Sequence, residues 1–313
     1  MKQLIVIAGP TATGKSVLAV FLAKLFETEI ISADSMQVYK GVDIGTAKPS
    51  SEEMEGIPHH MVSIVEPDTN FSVGEYVRLS RPVIEALHAR GRIPVVAGGT
   101  GLYIRGLVDG LCDLPEADLN VRKRLFEEED RHGKGYLYGR LSEVDQVSAG
   151  RIEPNDVVKI VRALEVFESA GVPISKIQAL HGFKERQYDP VMIGLTMDRA
   201  SLYKRIEKRV DNMVEQGLEE EVRKLISRYE NSVPLMKGLG YKQFAGYFNG
   251  LYSREEAVSM LKRDTKRYAK RQFTWFNRDV RMKWFSVRED LSHYEEIAEE
   301  IRRKLAVSRS KNN

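Results

Sequence analysis

The chain opens on an unbroken apolar run, LIVIA at residues 4–8, the pattern of a strand buried on both faces. The period then changes. Across residues 17–26, Leu18, Phe21, Leu22 and Leu25 recur on one helical stripe. EIISA, residues 29–33, reads as a second strand that stops at Asp34. Residues 72–90 read as a helix closed by Gly91, and IPVVA, residues 93–97, as another buried strand. Strands and helices alternating at this spacing predict an α/β fold with a parallel sheet flanked by helices.

Beyond about Cys112 the texture turns helical. EADLNVRKRLFEEED and NDVVKIVRALEVFESAG are the clearest helical segments, and strand signals return only at VMIGLTM, residues 191–197. The pattern predicts a core made of residues 1–113 and 190–313, interrupted by a helical insertion over residues 114–189. From Ser201 onward Leu202, Ile206, Val210 and Met213 form one stripe, Gly217 stops it, and MKWFSV predicts a last strand.

Composition narrows the class. Of 313 residues, 42% are hydrophobic and 30% charged, enough to bury a real core. The net charge of +3 is too small for a polycation, so any nucleic-acid surface must come from local clustering. Cys112 is the only cysteine, which excludes an intrachain disulfide framework and a cysteine-rich zinc module. A strand beginning at residue 4 leaves no room for a cleaved leader, and no apolar run approaches a membrane span. The expectation is a soluble cytoplasmic protein in a reducing compartment. No partner surface is legible, so a monomer is expected.

The candidate chemistry starts at GPTATGKS, residues 9–16, which fits G-x-x-x-x-G-K-[ST] between a buried strand and an amphipathic helix. Backbone N–H groups around Thr13 and Gly14 face one concavity at a helix N-terminus, where the dipole favours an anion. Lys15 adds a point charge, and the Ser16 hydroxyl can ligate Mg²⁺. The loop specifies phosphate and is silent on the reaction. A kinase or NTPase normally adds an apolar strand ending in a metal-binding Asp. Here IPVVA runs instead into Gly98, Gly99 and Thr100. The carboxylate follows the second strand, at Asp34, and should face the Lys15 site, since ligands sit beyond the carboxyl ends of parallel strands. Asp34 can cap a helix, hold Mg²⁺ through water, or accept a proton from a nucleophile. The residues alone leave these open.

GPTATGKS, SADSMQVYKGVDIGTAKP, PHHMV and AGGTGLY, in this order, resemble the tRNA dimethylallyltransferase family. So do PNDVVKIVRALEV, RIEKRVDNMVEQGLEEEV, KGLGYKQ and KRYAKRQFTWF, and together the motifs span residues 4–285. The likeness is to the bacterial form. It implies a P-loop core with a helical insertion, and a channel in which donor and flipped base meet. It implies that Gly9, Thr11, Ala12, Thr13, Gly14, Lys15 and Ser16 hold the diphosphate of dimethylallyl diphosphate, and that the phosphates leave. The dimethylallyl group goes to the exocyclic amine of the adenosine at tRNA position 37. Mg²⁺ is the implied cofactor and the tRNA anticodon stem-loop the implied partner. Asp34 is then the base, and Arg209 reaches the diphosphate. From periodicity alone, Arg209 reads instead as part of a solvated face with Lys204, Arg205 and Lys208, and only the motif reverses that reading. Thr100 meets the tRNA near the reacting adenosine; the plainer reading is a strand-end turn that needs glycines.

The same resemblance assigns tRNA contacts to Asp34, Ser35, Met36 and Gln37, to Val158, Lys159, Ile160, Val161 and Arg162, and to Lys237, Gly238, Leu239, Gly240, Tyr241 and Lys242. Arg122 joins them from the insertion. The clearest basic pattern is LKRDTKRYAKRQFTWFNR, where Lys262, Lys266 and Lys270 follow i, i+4 spacing beside Arg263, Arg267 and Arg271. Such a double row tracks a phosphate backbone, although an isolated basic stripe is also an ordinary solubilising face. Leu261, Tyr268 and Trp275 are expected to pack on the core at seven-residue spacing. His59 and His60 read as structural, because adjacent residues rarely face one metal. Two other readings compete: a P-loop kinase, which the missing Asp after Val96 disfavours, and a nucleic-acid-binding module with an idle phosphate loop, which the joint presence of loop, Asp34 and Thr100 disfavours.

Overall fold

A computed structural model describes residues 2–182, 187–229, 236, 238–288 and 292–310, with side chains as far as residue 306. The chain begins with β1 (Lys2–Ala8), α1 (Lys15–Leu25), β2 (Ile30–Ser32), α2 (Ser51–Met54), β3 (His59–His60), α3 (Val73–Ala89), β4 (Val95–Ala97) and α4 (Gly101–Asp109). Five helices follow: α5 (Leu119–His132), α6 (Tyr136–Val144), α7 (Gln146–Ala149), α8 (Val157–Ala170) and α9 (Ile174–His181). The sheet resumes at β5 (Tyr188–Thr196). Then come α10 (Arg199–Glu215), α11 (Leu218–Tyr229), α12 (Tyr241–Phe248), α13 (Arg254–Phe276), β6 (Lys283–Ser286) and α14 (His293–Ser310).

The six strands form one parallel sheet in the order β3-β2-β4-β1-β5-β6. Residues 4–8 of β1 are wholly buried, which is why that strand reads as a continuous apolar run. Two strands depart from expectation. β3 is a two-residue edge strand too short and too polar to announce itself. β5 begins at Tyr188 rather than Val191 and carries Pro190 within it. β6 pairs only with Ile193–Thr196, so Pro190 lies where β5 has no neighbour on that side and the missing N–H disturbs no ladder.

The chain divides into two compact units, Met1–Val108 with Gln187–Asn313, and Asp109–Arg186. In the first, α1 and α14 pack Leu18, Leu22, Ile297 and Ile301 against one face of the sheet. A second cluster joins Val210 and Met213 of α10 to Leu218, Phe244 and Leu261 of the following helices. Leu202, Ile206, Val210 and Met213 are all buried, as the α10 stripe predicts. The Asp109–Arg186 unit has its own core, in which Leu125, Leu137, Leu141, Ile160 and Leu164 meet.

Because β1, β2 and β4 run parallel and in register, the segments after Ala8, Ser32 and Ala97 leave the sheet from the same edge. That edge is where an open α/β sheet receives a ligand.

Candidate active site

The phosphate loop crosses from β1 to α1 along this edge. Gly9 has φ +136, and a Cβ there would lie 2.5 Å from the Leu195 carbonyl oxygen, so only glycine fits against β5. The Thr13 hydroxyl donates to Pro10 O at 2.8 Å and Lys15 Nζ donates to the same oxygen at 2.7 Å. Gly14 opens α1 in the left-handed region with no side-chain cap, leaving the first-turn N–H groups to an outside acceptor. Ser16 is exposed in that turn.

Asp34 follows β2. Its Oδ1 accepts from Met36 N at 2.8 Å and from Gln37 N at 3.3 Å, so the capping role is real. No side-chain donor among the described residues takes Oδ2. Thr100 leaves β4 opposite, and its Oγ1 accepts from Ser35 N at 3.0 Å. The two strand ends are thereby bonded to each other. The segment beyond is held by one carboxylate: Glu221 of α11 accepts from the N–H groups of Asp43, Ile44 and Gly45 at 2.9, 2.8 and 3.0 Å, and from the Tyr241 hydroxyl at 2.7 Å. Against that segment, Arg209 donates to Thr46 O at 3.2 Å. Lys204, Arg205 and Lys208 are exposed, whereas Arg209 turns inward toward the loop. The solvated-face reading therefore holds for its neighbours and not for Arg209.

Two cations and one carboxylate now share the edge. Burial first, and then the nearby Arg209, lower the Lys15 ammonium to about 7, with Asp34 acting in the opposite direction. Burial also lowers Arg209, opposed by Asp34 and Glu53. Two positive groups placed close enough that Arg209 disfavours the Lys15 charge make a site suited to an anion. Beside them is a cavity of about 290 Å³ lined by Thr11, Asp34, Arg209, Leu239, Tyr268 and Arg271, among others. Burial, then Asp34, holds the Tyr268 hydroxyl un-ionised, while Arg271 and hydrogen bonding with Thr100 and Gln272 oppose the shift.

Other expected contacts divide into surface and core. Ser35, Met36, Gly238, Leu239 and Lys242 also line the cavity. Lys237 lies outside the described residues. Gly240 caps α12, its N–H bonded to Gln243. Tyr241 is fully buried, so its side chain offers nothing to an RNA; its work is to hold Glu221. Ile160 and Val161 likewise need correction, since both lie in the core of the Asp109–Arg186 unit. An exposed face on α8 starts at Val158, and Lys159 pairs there with Asp156. Arg122 and Arg162 both bind the buried Glu165 carboxylate, at 3.0 and 2.7 Å.

The basic helix α13 is also revised. Its buried residues are Ala257, Leu261, Thr265, Ala269, Gln272 and Phe276, and Trp275 is 41% exposed. A seven-residue spacing drifts about 20° per heptad on a straight helix, which carries Trp275 off the core stripe. Lys262 pairs with Asp211 at 2.6 Å and Lys266 with Glu207 at 2.5 Å, both on α10. Two of the three lysines thus hold helices together. Lys270 is exposed and pairs with no acid among the described residues. Lys270→Ala is expected to reduce the salt slope of tRNA binding by about 0.7–0.9, and Lys262→Ala to leave it near wild type. Equal slopes for wild type and Lys270→Ala in binding titrations across salt concentrations would remove Lys270 from the interface. His59 and His60 are structural: His59 Nδ1 bonds Ile57 O at 2.8 Å and His60 Nε2 meets Glu29 at 2.7 Å. No metal-holding group of three or more His, Cys, Asp or Glu occurs among the described residues. No described helix is long and apolar enough to cross a membrane.

A phosphate loop at the carboxyl edge of a parallel sheet, facing a carboxylate and a half-buried arginine across one cavity, defines a P-loop-type enzyme that handles a phosphorylated substrate. Comparison makes the class specific. The IPP transferase family model matches residues 37–279 and the isopentenyl transferase model residues 2–63, and the chain belongs to the IPP transferase family. The tRNA dimethylallyltransferase of Symbiobacterium thermophilum is 53% identical over 91% of this chain and 89% of its own. That of Caldanaerobacter subterraneus subsp. tengcongensis is 48% identical over 97% and 98%. The solved full-length tRNA isopentenylpyrophosphate transferase of Bacillus halodurans is 40% identical, with all of both chains covered and a TM-score of 0.76. A eukaryotic dimethylallyltransferase solved acting on tRNA is 29% identical over 91% of this chain and 74% of its own, also at 0.76.

Proposed function

We propose that this chain transfers the dimethylallyl group of dimethylallyl diphosphate to the exocyclic amine of adenosine at tRNA position 37. The observation that carries the reading is the pairing of an anion-holding loop with a carboxylate but no metal-binding aspartate at the end of β4. Gly98 and Gly99 stand there instead, and the Asp34 carboxylate faces Lys15 and Arg209 electrostatically. Phosphoryl transfer needs the metal held firmly on the chain; prenyl transfer needs a stabilised leaving group and a base near the acceptor.

In the proposed reaction the amine nitrogen forms a bond to the first carbon of the dimethylallyl group. The bond from that carbon to the diphosphate oxygen breaks, its electron pair leaves with the diphosphate, and the amine proton passes to Asp34. An aromatic amine is a weak nucleophile, so a base that takes the proton as the bond forms accelerates the step. Lys15, Arg209 and the loop N–H groups from Ala12 to Ser16 stabilise the charge that grows on diphosphate. The exposed Ser16 hydroxyl, the donor phosphates and water make an oxygen donor set that fits Mg²⁺, which when bound would neutralise part of that charge. Thr100, tied to Ser35, borders the acceptor side. The adenine must leave its stack to reach Asp34, as for other enzymes that do chemistry on a base. Asp34, Ser35, Met36, Gln37, Gly238, Leu239, Gly240 and Lys242, with Lys270, form the proposed tRNA surface of the core. In the Asp109–Arg186 unit, taken by itself, the proposed tRNA contacts are Val158, Lys159, Arg122 and Arg162.

Mass spectrometry of an unmodified anticodon stem-loop tests the reading, after incubation with the chain, Mg²⁺ and dimethylallyl diphosphate. Gain of one dimethylallyl group on the adenosine beside the anticodon, with no ATP present, is expected. No transfer, but ATP consumed in a parallel tube, would return the loop to the kinases.

A further inference from the structure

Gln272 projects from α13 into the interior with only 6% of its surface exposed. A buried amide is costly unless both ends are bonded, and here both are. Gln272 Oε1 accepts from the Thr11 N–H of the phosphate loop at 2.8 Å, and Nε2 donates to Gly99 O at 2.9 Å. Only one orientation of the amide satisfies both partners, because Thr11 N–H can only donate and Gly99 O can only accept. The fit is close. A Cβ on Gly99 would lie 2.2 Å from Gln272 Nε2, so the glycine makes room for this bridge. From Gly99 the chain passes to Thr100, whose Oγ1 takes the Ser35 N–H beside Asp34. One line of bonds therefore runs from the donor loop, through Gln272, to the strand end that carries the acceptor side.

We propose that Gln272 is a positioning residue that sets the spacing between the bound diphosphate and Asp34, and so aligns the dimethylallyl carbon with the amine. The inference rests on the reaction proposed above. Gln272 touches neither reactant and acts through Thr11 and Gly99. Transfer between two held reactants depends on near-attack alignment, and a displacement of about 1 Å can lower the rate about 10²-fold. Donor affinity, in contrast, comes chiefly from Lys15, Arg209 and the first turn of α1, which Gln272 does not contact. Its removal therefore acts on kcat and leaves the KM for donor nearly untouched.

Two variants test this, each first compared with wild type in thermal unfolding. Gln272→Met keeps the shape and removes both bonds; its kcat is expected to fall about 10- to 100-fold, with the donor KM within about threefold of wild type. Gln272→Glu still accepts from Thr11 but turns a carboxylate oxygen on the Gly99 carbonyl. When protonated it regains a donor and has the hydrogen-bonding pattern of the amide. Burial and the facing carbonyl favour that protonated form, so the ratio of its kcat to wild type is expected to rise as pH falls from about 8 to about 6. Taking the ratio removes the pH effects that both chains share. A wild-type kcat for Gln272→Met, a loss confined to the donor KM, or a Glu ratio flat across that range would overturn the role of Gln272. Wild-type transfer measured alongside keeps that failure distinct from failure of the reaction itself.

Discussion

An Asp34→Asn chain is expected to transfer roughly 10²- to 10⁴-fold more slowly than wild type while binding the stem-loop within a few-fold. Asparagine is the informative change because Asp34 has two tasks. Its Oδ1 receives Met36 N–H and Gln37 N–H and so shapes the segment after β2. An asparagine oxygen can receive the same two bonds, which preserves the turn and the bond from Ser35 to Thr100. What the amide lacks is a basic oxygen to take the amine proton. If Asp34 were only a cap, Asn would be nearly silent and Ala would be harmful. If it is the base, both lose the chemistry and Ala also disturbs the turn. Single-turnover transfer under saturating donor separates these cases, and near-wild-type turnover by the Asn chain would remove the base from the mechanism.

The parts legible in the sequence are those governed by local period and local chemistry. The apolar run of β1 and the stripe Leu202, Ile206, Val210 and Met213 read correctly because burial dictates them, whatever packs on the other side. The loop from Gly9 to Ser16 was legible as a strand-to-helix turn because part of its geometry is local, Thr13 and Lys15 both bonding to Pro10 O. Partnerships across the fold were less legible. Lys262 and Lys266 look like RNA contacts until α10 brings Asp211 and Glu207 against them. Glu221 sits in a run of three glutamates, and only its nearness to the stripe of Leu218, Val222 and Leu225 hints that it turns inward. Gln272 left a fainter trace: a polar residue in phase with Leu261, Ala269 and Phe276. A buried polar residue in a core stripe asks for partners, but Thr11 and Gly99 are 261 and 173 residues away in sequence. The contact residues Ile160, Val161 and Tyr241 failed in the opposite way. Motifs mark them as a block, while a helix turns one stripe of any block into the core, at a period of about 3.6 residues.

Lys15→Met is expected to lower transfer about 10²- to 10³-fold, the scale of losing one preorganised donor to a developing oxyanion, and to abolish a pH dependence that wild type shows. Lys15 titrates near 7 in the free chain because burial and Arg209 disfavour its charge. Bound diphosphate supplies the opposite charge and raises that value, so binding takes up a proton at any pH between the free and bound values. Affinity for inorganic diphosphate is then full below about pH 7 and falls by up to about tenfold per pH unit above it. Stability of the free chain runs the other way. Its folded lysine binds protons less readily than the unfolded one, whose ordinary value is 10.5. The unfolded state therefore holds more protons between about pH 7 and that value, and the lysine's contribution to folding becomes more favourable as pH rises through the window. The rise in thermal midpoint that diphosphate confers should accordingly shrink above pH 7 in wild type, with an additional Lys15-dependent slope that Lys15→Met lacks. Identical pH slopes in the two chains would mean that the ammonium is already charged before the phosphates arrive, and that Lys15 acts as a fixed cation rather than one completed by its ligand.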